Sequence, residues 1–380
     1  MALVLNEEQA LLKETAEQFF QEKVPVANFR KLRDSKDENG YDTAVWREIA
    51  NLGFAGIMVP EQYGGTDFGP VGLGLVLEQA GRTLAATPLI STVLLAGSAI
   101  QQGGTSAQRQ KYLPLIASGE IVMALALEEG AHHNPCAIAT KAEAAGDNFK
   151  ITGKKVFVLD GHVADVLIVA ARTSGGPKDT SGITLFLVDT KNTDGLKITR
   201  THMADHRNAA IVEFDGVSVP AANVLGSVDG GWDVLEPALD IGRIGIAAET
   251  LGLIQQVFET TVDYLKERKQ FGKVIGSFQA LQHRAAELFC EVELCRSVVL
   301  EALSAVEERR NDVPKLASLA KARLAEASRL ITNEGLQMHG GIGMTDEYDV
   351  GLFMKRARVA AATLGDANFH RNRYAELDDY

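Results

Sequence analysis

Asn148-Phe-Lys-Ile-Thr152, Lys155-Val-Phe-Val-Leu159, Asp165-Val-Leu-Ile-Val169, Ile183-Thr-Leu-Phe-Leu-Val188 and Ile211-Val-Glu-Phe-Asp-Gly-Val-Ser-Val219 decide the fold. They are short stretches rich in Val, Ile and Phe, punctuated by Gly, Asp and Asn, and they read as strands. No long helical pattern interrupts them between about 120 and 226, and parallel strands need crossovers of about a dozen residues, usually helical. An antiparallel β-domain is therefore expected in the middle of the chain.

The segments on either side read as helices. Asn6 can cap a helix, with Gln9 closing a capping-box pair, and Pro25 stops it. Further helical stretches are expected near 43–52, 71–83, 88–102 and 106–118, separated by turns such as Tyr63-Gly64-Gly65-Thr66. After Gly230-Gly231 the helical signal returns. Leu281, Ala285, Leu288, Val292, Cys295, Val299 and Ala302 form an a/d stripe that needs partner helices, as in a four-helix bundle at an oligomer core. The class is α+β: a helical domain over 1–120, a β-domain over 121–228 and a helical bundle over 229–380.

With 380 residues, 46% of them hydrophobic and 23% charged, the chain has ample material for a core, which excludes disordered and fibrous classes. Its 38 Lys+Arg against 50 Asp+Glu give a net charge of -12, which repels phosphates and argues against nucleic acid as a partner. Three cysteines, Cys136, Cys290 and Cys295, make no even disulfide framework and suit a reducing compartment such as the cytoplasm. The first residues carry no basic region ahead of an apolar run, and no window supplies the roughly 18 apolar residues of a membrane span. A soluble protein is expected.

Among chemical motifs, Cys290 and Cys295 lie about 140° apart around a helix and do not share a metal easily. His132-His133 has no third ligand at zinc spacing. There is no Gly-x-Ser-x-Gly elbow and no Walker loop, and Gly340-Gly341-Ile342-Gly343 lacks the strand and spacing of a dinucleotide fingerprint. Gly340-Gly341 still offers backbone without Cβ atoms at a helix end, where a flat or anionic ligand can come close. Arg268-Lys-Gln-Phe-Gly272, ahead of Phe278-Gln279, puts an Arg and an aromatic at a helix–helix corner. Such a corner can clamp a pyrophosphate and cover an adenine.

Taken together, Leu52-Gly-Phe-Ala-Gly-Ile-Met-Val-Pro-Glu-Gln-Tyr-Gly-Gly65, Lys141-Ala-Glu143 with Ile151-Thr-Gly-Lys-Lys155, Glu267-Arg-Lys-Gln-Phe-Gly-Lys273 with Phe278-Gln279, and Gln337-Met-His-Gly-Gly-Ile-Gly343 resemble the acyl-CoA dehydrogenase family across the whole chain. The resemblance implies the same three-domain order, a tetramer with FAD bound between subunits, and α,β-dehydrogenation of an acyl-CoA thioester. In that reaction a carboxylate takes the α-proton and hydride leaves to the flavin, whose electrons pass to an electron-transfer acceptor protein. It further implies that Arg268, Phe271, Gln279, Gln337, Gly340 and Gly341 clamp the nucleotide end of a neighbour's FAD.

Where the family has Thr-Glu-Pro-Gly-x-Gly-Ser-Asp, this chain has Leu127-Glu-Glu-Gly-Ala-His-His-Asn134, and the aromatic-Ile-Thr-Asn-Gly segment becomes Phe157-Val-Leu-Asp-Gly161. Phe157 keeps a stacking ring, but Leu127 and Leu159 replace two flavin-bonding hydroxyls, each worth ~0.5–1.5 kcal/mol net. Leu364 occupies the loop position of the family's base, and Gly242 before Arg243 occupies the alternative position on a helix. Asp366, Asp240 and Glu249 are substitutes, with Asp366 favoured because a two-residue shift in a loop swings a carboxylate by several ångströms. Asp366 and Arg243 are thus the candidate catalytic residues, though Asp366 also reads as a helix cap or salt-bridge partner. An intact clamp beside a depleted ring cradle matches heteromeric members of the family, in which one chain completes its partner's site. A self-sufficient enzyme using Asp366, or an acyl-CoA-binding scaffold, are the alternatives.

Overall fold

The computed structural model describes residues 5–380; the first four residues of the expected N-terminal domain lie outside the described part. The helices in order are α1 (Glu7–Lys23), α2 (Val26–Ser35), α3 (Thr43–Asn51), α4 (Gly69–Arg82), α5 (Gly97–Gly103) and α6 (Ser106–Ala117), followed after the strands by α7 (Trp232–Glu267), α8 (Gln279–Glu307), α9 (Val313–His339), α10 (Val350–Ala362) and α11 (Ala367–Leu377). The strands are β1 (Met123–Ala126), β2 (Lys141–Ala145), β3 (Asn148–Leu159), β4 (Val166–Arg172), β5 (Ile183–Asp189), β6 (Leu196–His202), β7 (Asn208–Pro220) and β8 (Val224–Leu225), with a small hairpin of β9 (Lys269–Gln270) and β10 (Lys273–Val274). Among the described residues no helix is long and apolar enough to cross a membrane.

The chain forms two compact units. One runs over Leu32–Gly69 and Ala86–Gly242 and carries the sheet, ordered β6-β7-β3-β2-β4-β5-β8, with β1 on β4. Most pairings are antiparallel, as the sequence indicates. The exceptions are β1, which lies parallel to β4 with Met123 opposite Val166, and a single-residue parallel contact between Lys141 and Arg172. The crossover from β1 to β4 is made by a loop and the β2–β3 hairpin, so its length is met without a helix. Ile151, Val169, Ala171, Phe186, Val212, Phe214 and Val217 form the sheet core, with Phe149 against Phe186 at 5.1 Å between centroids.

In the same unit the expected helix near 88–102 divides. Leu89–Ala96 winds as a buried π-helix, in which Gly97 N–H reaches the Thr92 carbonyl five residues back, before α5 continues. Thr92 Oγ1 anchors this segment to β1, donating to the Met123 carbonyl (3.1 Å) and accepting from the Met123 amide (3.0 Å).

The other unit comprises the chain up to Lys31, Pro70–Ala85 and Arg243–Tyr380. Asn6 and Gln9 form the expected capping box on α1. Helices α4 and α7 cross in close contact at two glycines: a Cβ on Gly81 would stand 2.0 Å from the Glu249 carbonyl oxygen, and one on Gly252 1.7 Å from that of Glu78. The stripe on α8 is buried at Leu288, Val292, Cys295, Val299 and Ala302, whereas Leu281 and Ala285 at its start are half-buried. Helices α8, α10 and α11 all pack on α9.

Candidate functional site

In the sheet unit, β1 runs into the loop 127–140, where the flavin-facing segment is expected. Leu127 is buried, and its carbonyl accepts from Lys155 Nζ at 3.0 Å. Lys155, 0% exposed, also meets Glu129 at 2.6 Å, and Glu129 accepts the Ala139 and Thr140 amides at 2.7 and 2.9 Å. Burial pulls the Lys155 ammonium down to about 8 against the pull of Glu129. Burial opposes ionisation of Glu129 as well, but Lys155 and the Thr140 amide outweigh it and hold the carboxyl below its usual range. Glu128 pairs with His133, while His132 is exposed. Arg172 closes the loop from behind, donating to the carbonyls of Ile138 (3.1 Å), Cys136 (3.0 Å), Asp179 (2.9 Å) and Ser181 (3.0 Å). The loop thus spends its polar groups on itself and on two buried cations.

Phe157 sits at a break in the β3–β7 register with φ 53°, half-buried, and Leu159 beside it is half-buried too. Asp160 accepts from Ser91 Oγ of the π-helix at 2.6 Å. Lys155, Glu129 and Arg172 escaped the sequence reading. Lys155 alone carried a signal, since it falls four residues after core-facing Ile151 on a strand, where period two points it inward.

The helical unit holds the residues expected to form the clamp. Phe271 tops the β9–β10 hairpin, 90% exposed with φ 52°, its ring 6.2 Å from Phe278 and edge-on to it, and Lys273 Nζ lies 4.6 Å over the Phe278 ring. Arg268, Gln279, Gln337, Gly340 and Gly341 are exposed as well. A Cβ on either glycine would meet nothing within 4 Å. The two corners meet through Tyr264, one helical turn before Arg268, whose hydroxyl donates to the His339 carbonyl at 3.3 Å while its ring stacks on His339 at 4.4 Å. His339 Nδ1 donates to the Gly335 carbonyl at 2.7 Å, and burial keeps the ring below the usual histidine range.

Leu364, Asp366 and Glu249 lie in this unit as well, whereas Asp240 and Gly242 belong to the sheet unit. Leu364 is buried with φ 57°. Asp366 is exposed and caps α11 by accepting the Phe369 amide at 2.8 Å, on the edge of a cavity of about 800 Å³ that Arg358 and Arg371 also line. Glu249 is buried in an ion pair with Arg356. Arg243 is 0% exposed, its guanidinium carbon 5.8 Å from the Phe369 ring centroid. Asp240 is buried. Cys295 is buried, which raises its thiol to about 12, whereas Cys290 is exposed. Among the described residues no three His, Cys, Asp or Glu side chains cluster as a metal site.

Family models match along the chain: the acyl-CoA dehydrogenase N-terminal domain over residues 6–120, the middle domain over 124–217 and the C-terminal domain over 229–377. The chain is 32% identical over 378 residues to the mitochondrial short/branched chain specific acyl-CoA dehydrogenase of Bos taurus, covering 98% of this chain and 85% of that one. It superposes on the Tcur3481-Tcur3483 steroid ACAD with TM-score 0.88, 31% identity and 98% of both chains covered. The ChsE4-ChsE5 complex from Mycobacterium tuberculosis gives TM-score 0.90, 26% identity and full coverage of both chains (100% each). A helical N-terminal part, a middle β-domain, a C-terminal helical bundle and three consecutive family matches lead to one conclusion: the chain belongs to the acyl-CoA dehydrogenase family.

Proposed function

We propose that this chain is a subunit of an FAD-dependent acyl-CoA dehydrogenase that completes the flavin site of a related partner chain, with domain boundaries near 120 and 228. One contrast carries the reading. Arg268, Phe271, Gln279, Gln337, Gly340 and Gly341 stand exposed at one linked corner, whereas Leu127, Leu159 and Leu364 are hydrocarbon where ring-bonding hydroxyls and a base are expected.

The fit to FAD divides in the same way. Open space beside Gly340 and Gly341 and the unobstructed Arg268 suit a nucleotide tail. The ring segment does not fit, because Leu127 and Leu159 have no side-chain donor and the loop's carboxylates already hold His133, Lys155 and the Ala139 and Thr140 amides. No step through a flavin is therefore assigned to this chain's own residues, and its contribution is to grip and orient. Glu249 in its ion pair and Asp366 at its cap agree with a chain that leaves proton removal to its partner. The likeness to complexes of two named chains supports the same reading.

The test is the visible spectrum of the chain purified alone and together with a related chain that keeps a base. A colourless protein that gains flavin and acyl-CoA turnover only on assembly is expected. Stoichiometric flavin with turnover by the chain alone would overturn the proposal in favour of self-sufficiency through Asp366. Retained acyl-CoA binding without flavin in any assembly would favour a scaffold. In the assembled protein, Arg268→Ala is expected to weaken flavin retention about tenfold or more, as for a lost charge-assisted contact to phosphate; unchanged flavin content would contradict the clamp.

A further inference from the structure

The two arms of the proposed clamp are carried by different helices. Arg268 and the β9–β10 hairpin follow the end of α7, whereas Gly340-Gly341 follow the end of α9. Two gripping loops hold a ligand only if their spacing is fixed beforehand by the residues behind them. Here three rings stand behind them. His339, the last residue of α9, is 2% exposed. Its ring stacks on Tyr264 of α7 at 4.4 Å and 28°, and meets Tyr348, just ahead of α10, at 5.0 Å and 55°. Tyr264 and Tyr348 close the triangle edge-on at 6.0 Å.

His339 Nδ1–H donates to the Gly335 carbonyl at 2.7 Å, which fixes the ring's orientation and leaves Nε2 without a proton. That nitrogen is buried and has no hydrogen-bond partner. An unpartnered buried nitrogen costs stability, so what the imidazole contributes comes from its faces and its Nδ1–H. Both arms are tied to this cluster directly. The Tyr264 carbonyl accepts the Arg268 amide at 2.9 Å, and the Tyr264 hydroxyl donates at 3.3 Å to the His339 carbonyl, in the peptide that joins His339 to Gly340. The Gly340–Met344 turn folds back on the same side chain, since a Cβ on Gly343 would stand 3.0 Å from His339 Cβ. The helices behind the arms are also in close contact: a Cβ on Gly335 would stand 2.8 Å from Val257 Cγ1.

We propose that His339 and Tyr264 are positioning residues for the nucleotide clamp: the stacked pair and the Tyr264 hydroxyl hold the Arg268 hairpin and the Gly340-Gly341 turn at the spacing that grips the tail of a partner's FAD. That the rings set the spacing rests on the geometry above; that the tail is a nucleotide rests on the proposed function.

The test is the FAD dissociation constant of the flavin-free assembly with a related partner chain, read by flavin fluorescence, with the assembled mass and the urea midpoint measured alongside. Tyr264→Phe keeps the ring and removes only the hydroxyl; it is expected to weaken FAD about three- to fivefold with the mass unchanged. His339→Ala is expected to weaken it about tenfold, and His339→Phe, which restores a stacking face, to recover most of that loss. In an Arg268→Ala background the same substitutions should add less than about twofold, because the arm they place no longer grips. Unchanged FAD affinity in either Tyr264→Phe or His339→Ala overturns the assignment of that residue whatever the urea midpoint does, since a purely structural role lowers the midpoint alone. Losses of full size in the Arg268→Ala background, or no recovery in His339→Phe, overturn the proposal as a whole. If His339→Ala does not assemble, Tyr264→Phe in the two backgrounds decides. Hydrogen exchange at the Gly340 amide, which bonds the Gln337 carbonyl, reads the link without flavin. Its protection is expected to fall about threefold in Tyr264→Phe, and unchanged protection overturns the link. A wild-type assembly that takes up no FAD counts against the proposed function and leaves the link to be judged by exchange.

Discussion

Buried charge, rather than any single reactive side chain, distinguishes this molecule at the residue scale. Glu249 and Arg356 have side chains 3% and 6% exposed. Truncating one partner of such a pair strands the other in a low-dielectric interior. Arg356→Met is therefore expected to lower stability by about 3–5 kcal/mol, with Arg356→Met/Glu249→Gln recovering much of the loss, measured by urea unfolding. A double variant no better than the single would mean that packing dominates. The residues proposed as the clamp stand out in the sequence because each sits in a short motif beside a helix end. The helix spacing also put Arg243 and Glu249 on one chain segment, but nothing in it announced that Lys321, Arg356 and Asp366 from separate elements would gather around them. Asp366 illustrates a second limit: a carboxylate just before a helical stretch reads equally as base or cap, and the Phe369 amide takes it as a cap.

At the scale of elements, periodicity carried most of the information. Val/Ile/Phe runs gave β3, β4, β5 and β7, and the a/d stripe gave α8. Parallel pairing of β1 with β4 was hidden because a four-residue strand carries no direction in its pattern. The break of Leu89–Ala96 into a π-helix was hidden too, since an all-buried apolar run looks alike at any helical pitch. The glycine crossing of α4 and α7 makes a sharp prediction. Gly252→Ala places a methyl where the Glu78 carbonyl stands, so the helices must separate, at an expected cost of about 1–3 kcal/mol. An unchanged urea midpoint would show that the crossing yields freely. At the other end of the range, Asn6→Ala removes only an exposed cap and is expected to cost about 1 kcal/mol.

For the whole molecule, the two buried lysines impose a pH signature. In the folded state Lys155 titrates at about 8 and Lys321 at about 7, against 10.5 when free. Between those values the unfolded chain holds a proton that the folded chain lacks, so stability rises with pH across that window. The slope is up to about 1.4 kcal/mol per pH unit for each group. Cys295, raised by burial, and Tyr41, raised by burial and nearby aspartates, keep their protons in the folded state and oppose the trend, the thiol from about pH 9 and the phenol from about pH 10. Urea midpoints between about pH 8 and 9.5 should therefore climb, and Lys155→Met should remove about half of the climb; a flat wild-type profile would place both amines in water.

The parallel β1–β4 ladder also sets a schedule for synthesis. Met123 leaves the ribosome some forty residues before its partner Val166, and two other strands emerge in the interval. A nascent polypeptide arrested in that gap exposes the apolar Met-Ala-Leu-Ala edge with nothing to zip against. A pause while the emerged chain ends within that gap would invite chaperone capture or clumping, and one after Arg172 has emerged would not leave that edge unpaired.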